Sequence, residues 1–239
     1  TGDPGVSDAA RSRLPQQTAE PLPEKVDVLI VGSGPTGLTL AAQLAAFPGI
    51  TTRIVEQKSG PLEIGQADGI ACRTMEMFQA FGFCERVLRE SYWVNETCFW
   101  KPDDLQPQHI VRSRTIQDTE DGLSEFPHVI LNQARVHDFY LDLLSHAPAP
   151  LQPDYSLSLV GLEVDDSSLA DPSAFPLTAH LKRAEGPKVG TATAIRARYV
   201  VGCDGARSAV RGLLCRAIEG DSARQAWGVM DVLAVTDFP

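Results

Sequence analysis

The first strong pattern along the chain is a run of strand length, Val26–Val31 (VDVLIV), apolar enough to suit a strand buried on both faces. The glycine-rich GSGPTG follows at once, and Leu38–Phe47 (LTLAAQLAAF) then reads as an Ala/Leu helix stopped by Pro48-Gly49. Thr51–Val55 reads as a second strand, with Glu56 at its end. Strand, helix and strand at this spacing predict a βαβ unit, and so a parallel sheet.

Downstream, residues 57–71 read as loop, and Arg73–Phe81 has helical spacing that Val87 and Leu88 extend. Tyr92–Trp100 and His109–Thr115 read as strands, followed by an acidic loop over 117–128. Ala134–Ser145 (ARVHDFYLDLLS) predicts an amphipathic helix with Val136, Phe139, Tyr140 and Leu143/Leu144 inward, broken by Pro148–Pro153. Leu157–Val164, Pro176–Lys182 and Ala192–Val201 read as a meander, Ala206–Leu214 as a short helix, and Trp227–Val235 as a further strand. Trp93 and Trp100 are expected in the core or beneath a substrate region. No internal repeat is visible.

Composition narrows the function classes. With 43% apolar and 22% charged residues over 239 positions, the chain can bury a sizeable core. A net charge of −10 provides no basic footprint for nucleic acid or an anionic membrane. The apolar stretches are too short to span a bilayer. Residues 1–24 are polar, with no secretory signal, and read as a disordered or wrapping arm. The five cysteines are odd in number and show no CxxC spacing, which predicts reduced thiols in a cytoplasmic protein with neither a disulfide framework nor a metal site.

The chemistry begins at Gly32, Gly34 and Gly37, a GxGxxG set between a strand and a helix. The first glycine permits a tight turn, the second lets backbone approach a pyrophosphate, and the third lets helix and strand pack closely. Pro35 and Thr36 complete the loop, and the helix start offers free N–H groups and a positive dipole end to phosphates. Glu56, 19 positions beyond Gly37, can accept hydrogen bonds from ribose hydroxyls, with Gln57 beside it. Glycines alone do not separate FAD from NAD.

Three further segments carry a more specific signal. YVVGCDGARSAVR (Tyr199–Arg211) runs a strand into Asp204-Gly205 and then a helix. It resembles the DG fingerprint of the single-component flavoprotein aromatic hydroxylases, the group that contains p-hydroxybenzoate hydroxylase and phenol 2-monooxygenase. GQADGIACRTMEMF (Gly65–Phe78) and VILNQARVHDFYL (Val129–Leu141) are similar to family segments that lie along the flavin. The resemblance, which runs from about Val26 to Pro239, implies an α/β fold: a Rossmann-like FAD-binding domain over 25–220 with inserted strands near 92–116, and the start of a β-rich substrate domain over 221–239.

Carried over residue by residue, the resemblance implies that Asp204 and Gly205 serve the FAD pyrophosphate region and NAD(P)H. Gln66 would lie along the flavin, Arg73 would grip the pyrophosphate in bidentate fashion, and Gln133 would bond the ribityl chain. It implies an enzyme that uses FAD, NADPH or NADH, and O₂ to hydroxylate a phenolic acid, 3-hydroxybenzoate foremost, through a flavin hydroperoxide. Such a ring must be made electron-rich by a general base. Asp68 matches the family position for that role, and His128 resembles a position near the substrate. His109, His137, His146 and His180 show no partner spacing. A homodimer is expected of the full-length protein.

The chain departs from the family in length. The later GD-containing segment, the rest of the substrate sheet and a C-terminal thioredoxin-like domain are absent, so the chain reads as an N-terminal fragment, expected to hold FAD weakly and not to hydroxylate alone. Two other readings stay open: an FAD oxidoreductase of epoxidase or halogenase type, and a non-catalytic nucleotide-binding fragment that needs a partner chain.

Overall fold

The Val26–Val31 run forms β1 (Lys25–Val31) in a computed structural model that describes residues 22–186, 189–228 and 235. Leu29 and Ile30 are fully buried, as a strand with neighbours on both edges and cover on both faces requires. α1 (Pro35–Leu44) follows, and β2 (Thr52–Val55) returns parallel to β1, with Val28 opposite Thr52 and Val31 opposite Val55. The helix starts three residues earlier than its apolar pattern suggests, because Pro35 at the first position has its φ preset and no N–H to lose.

After β3 (Gly69–Ile70), the expected helix becomes two: α2 (Cys72–Ala80) and α3 (Cys84–Glu90). They part where Gly82 adopts φ +82°, a conformation that ends a helix. The expected strand over 92–100 is also split. β4 (Tyr92–Trp93) pairs with β7 (Val129–Ile130), whereas β5 (Glu96–Pro102) pairs antiparallel with β6 (Ile110–Gln117). The chain changes partners at Val94, whose amide donates to the His128 carbonyl, and Asn95, whose carbonyl accepts from the Asp118 amide. Neither tryptophan is in the core: Trp93 is half-exposed, and Trp100 lies under the Arg112 guanidinium, 5.4 Å from its ring centre.

α4 (Gln133–Ser145) is capped by the Asn132 side chain, which accepts from the Ala134 amide at 2.8 Å. β8 (Pro153–Asp154), hidden in sequence by its prolines, adds to β2 in parallel, and the Arg53 guanidinium holds the Asp154 carboxylate at 2.9 and 2.6 Å. β9 (Leu157–Val164), β10 (Leu177–Arg183) and β11 (Ala192–Gly202) form the expected antiparallel meander, with a 3₁₀ turn at Asp166–Ser168. β11 then lies parallel to β1, so the meander and the βαβ unit share one six-stranded sheet, β8-β2-β1-β11-β10-β9. α5 (Ala209–Leu213) follows.

Two apolar clusters cover the sheet. Val28 and Ile30 pack with α1, α2, α3 and α4 on one side, and Leu29 and Val31 pack with β9, β10 and Val210 on the other. The first cluster holds an aromatic group in which Phe83 meets Tyr140 edge-on at 5.1 Å, and Tyr140 in turn hydrogen-bonds Thr39 on α1 at 2.8 Å. All five cysteines are unpaired. Among the described residues, no helix is long and apolar enough to cross a membrane. Residues 1–21 of the polar arm and 229–234 of the expected strand after Trp227 lie outside the described residues, whereas Leu22 is partly buried against the second cluster.

Candidate functional site

Because β1 and β11 are parallel neighbours, with Val31 opposite Gly202, the turns that leave them emerge side by side. A Cβ on Gly32 would stand 2.5 Å from the Cys203 carbonyl oxygen, and one on Gly37 would stand 1.9 Å from the Gly32 carbonyl oxygen. The two loops therefore meet backbone to backbone, with no room for side chains between them. At Gly34 nothing lies within 4 Å of the missing Cβ, so that glycine faces open space. Gly34 also starts α1 without any side-chain cap, which leaves first-turn amides available to a ligand.

The space beyond these loops is a cleft of about 610 Å³, within the range of cofactor pockets. The glycine loop from Gly32 to Thr36 lines it, and Asp204 and Gly205 continue that lining from the neighbouring turn. Glu56 and Gln57 lie at the end of β2, and Gln66 and Gln133 close the side toward α4. Glu56 is buried, and its Oε2 accepts from the Ser33 amide at 2.9 Å and the Ser33 hydroxyl at 3.1 Å. Its Oε1 accepts from the Lys58 amide at 2.9 Å, so the carboxylate is fixed in place before any ligand arrives. The Gln66 amide donates to Gln133 Oε1 at 2.8 Å. Gly65 permits that crossing, since a Cβ there would come within 2.6 Å of the Gln133 Cβ.

Asp204 faces two ways. Its residue lines the cleft, but its carboxylate also caps α5, accepting from the Ser208 hydroxyl at 2.6 Å and the Ala209 and Val210 amides at 2.6 and 3.1 Å. Burial works to raise this carboxyl, and the Ser208 and amide hydrogen bonds outweigh it, holding the group below the usual carboxylate range.

A second, mostly apolar cavity of about 630 Å³ adjoins the first along Pro35, Thr36 and Gln133 and reaches Ala67, Gly69 and Ile70. Beside this end the small sheet β3-β7-β4 gathers the two residues expected to handle protons, Asp68 and His128, which line neither cavity. The Leu131 amide donates to the Asp68 carbonyl at 2.9 Å, and the His128 ring lies against Gly69, where a Cβ would sit 3.3 Å from Nε2. His128 Nδ1 lies 2.8 Å from Asp118 Oδ2. Asp118 was invisible in sequence, one acid in an acidic loop; only the β5–β6 hairpin returns it to His128.

Two residues of the expected cofactor set stand apart from the cleft lining. Gly37 is behind the loop, where helix meets strand, as its packing role requires. Arg73 lies at the start of α2 with its side chain 87% exposed, 3.4 Å from the Glu76 carboxylate. In the other direction, His137 lines the cleft although its sequence context assigned it no role. The available signal was its spacing: it falls four residues after Gln133, hence on the same face of α4.

Comparison with known proteins bears on this geometry. The model of an FAD binding domain family matches residues 25–239. A 3-hydroxybenzoate 4-monooxygenase of Comamonas testosteroni is 58% identical over 238 residues, all of this chain and 36% of that protein. An FAD-dependent monooxygenase of Aspergillus terreus is 40% identical over 216 residues, 90% of this chain and 34% of that protein. The chain thus spans about a third of the length of these relatives. Among solved structures, aklavinone-11 hydroxylase with FAD and aklavinone superimposes with a TM-score of 0.62 at 26% identity, covering 80% of this chain and 35% of that one. The monooxygenase PieE with FAD and substrate superimposes with a TM-score of 0.67 at 24% identity, covering 82% of this chain and 33% of that one, and shares the fold. On the strength of the match over residues 25–239, this chain belongs to the FAD-binding domain family.

Proposed function

We propose that the protein containing this chain is an FAD-dependent monooxygenase that hydroxylates a phenolic aromatic acid, 3-hydroxybenzoate foremost, using NAD(P)H and O₂. The observation that carries this reading is the convergence of the GSGPTG and CDG turns on one cleft, in a chain 58% identical to a 3-hydroxybenzoate 4-monooxygenase. The residues present suit FAD. The open face of Gly34, the uncapped start of α1 and the fixed carboxylate of Glu56 supply close backbone, a phosphate dipole site and a ribose acceptor. Gln133, at the junction of the two cavities, is suited to the ribityl chain, and Asp204 and Gly205 to the pyrophosphate. Arg73 joins them if its exposed side chain turns inward.

FAD, held here and reduced by NAD(P)H, would activate O₂ so that one oxygen atom goes to the ring and the other to water. The chain's own residues then have to raise the electron density of the phenol. His128 Nε2 accepts the phenolic proton, and Asp118 fixes the productive tautomer by accepting from His128 Nδ1–H. Asp68, next to the same small sheet, supports or shares that role. The mostly apolar lining of the second cavity suits a site from which water has to be kept. A homodimer, from family likeness, and a cytoplasmic location, from the unpaired thiols, accompany this reading.

The test is NAD(P)H oxidation by the protein, expressed with its native flanking sequence, as phenolic and non-phenolic acids are added. Faster oxidation with 3-hydroxybenzoate, yielding a hydroxylated product, and no stimulation by benzoate are expected. His128→Ala should cut turnover about a hundredfold or more, and Asp118→Asn should cut turnover while FAD remains bound. Absence of any aromatic-stimulated oxidation by a yellow, FAD-loaded protein would overturn the reading.

A further inference from the structure

His137 is 4% exposed, and neither ring nitrogen has a hydrogen-bond partner within the protein. Buried imidazole nitrogens without partners are costly, because each loses its water and gains nothing. The residue is not hidden in an apolar core. It lines the first cleft, one helical turn along α4 from Gln133, and it feels the charges of Glu56 and Lys58 from the end of β2. It shares that lining with Gln133 and Glu56. Burial keeps it neutral, so one nitrogen donates and the other accepts. That pairing suits hydroxyl and phosphate oxygens.

We propose that His137 is a nucleotide-positioning residue, whose unfilled hydrogen-bonding capacity is taken up by the ribityl–diphosphate bridge of bound FAD once the ring turns a nitrogen into the cleft. This rests on the reading of the cleft as an FAD site and adds a residue to it. A ligand that completes a buried polar group gains more than one that exchanges water for water, so the cost carried by the free protein is recovered on binding.

The test separates ligand contact from packing. The protein with its native flanking sequence is compared as wild type, His137→Leu and His137→Gln, measuring FAD affinity by quenching of flavin fluorescence and thermal unfolding of the FAD-free form. The inference expects His137→Leu to lose about tenfold or more in FAD affinity while its FAD-free form unfolds at the same temperature or higher. It expects His137→Gln to keep most of the affinity. FAD affinity unchanged in His137→Leu overturns it, as does a loss of affinity that merely follows a loss of stability. If the unmodified protein binds no FAD, the parent reading fails and this one with it; normal binding in the wild type and in His137→Leu removes this one alone.

Discussion

A histidine ring buried without a partner resists protonation, and His137 shows the size of that effect. Burial lowers its pKa from 6.5 to about 4, with Glu56 working against the shift and Lys58 adding to it. The unfolded chain therefore takes up a proton near pH 6.5 that the folded chain refuses until about pH 4, so stability falls as pH drops through that window. The full effect is on the order of 3 kcal/mol. Urea unfolding of the FAD-free protein from pH 7 down to pH 4 should show this loss, and His137→Leu should flatten it. Asp204 acts in a lower window: its carboxyl is held below the usual range, so the stability it contributes is present above that range and lost as pH falls through its own lowered pKa. A profile in which wild type and His137→Leu fall in parallel would contradict the account of the buried ring.

At the scale of elements, α4 holds the helical side together. Arg135 grips Glu90 on α3 at 2.7 and 2.9 Å, bonds Asp138 at 3.0 Å, and stacks on Phe139 at 4.6 Å, with its side chain only 19% exposed. Arg135→Ala leaves two carboxylates without that cation and removes its packing. It should destabilise the FAD-free protein by about 2–4 kcal/mol, measured by chemical unfolding. A cost below about 0.5 kcal/mol would make the pair an ordinary surface bridge. The elements themselves were mostly legible, because apolar period and glycine or proline punctuation report local preference. Val26–Val31, the β9–β11 meander and α4 follow from that pattern almost to the residue. Neither β8, written in prolines, nor the break at Val94–Asn95 was legible, since both depend on a partner strand distant in sequence. The same distinction holds at the site. The glycine loop and Asp204 carry recognisable motifs, whereas Asp118 and His137 gain meaning only when a hairpin and a helix turn them toward His128 and the cleft.

Over its 239 residues the chain carries a net charge of −10, which does not draw in an anionic dinucleotide by its overall field. Attraction has to be local, from the bare glycine backbone and uncapped helix start together with Lys58 and Arg207, which line the same cleft. Titrating wild type, Gly34→Ala and Gly37→Ala with FAD, beside thermal unfolding without FAD, tests this directly. At Gly34 an added methyl meets nothing in the free protein. Its stability should change by less than about 1 kcal/mol, while FAD affinity falls about a hundredfold, near 3 kcal/mol. At Gly37 the methyl strikes the Gly32 carbonyl, so stability and affinity should fall together. If Gly34→Ala binds FAD as tightly as the wild type, the dinucleotide does not lie against this loop and the account is wrong.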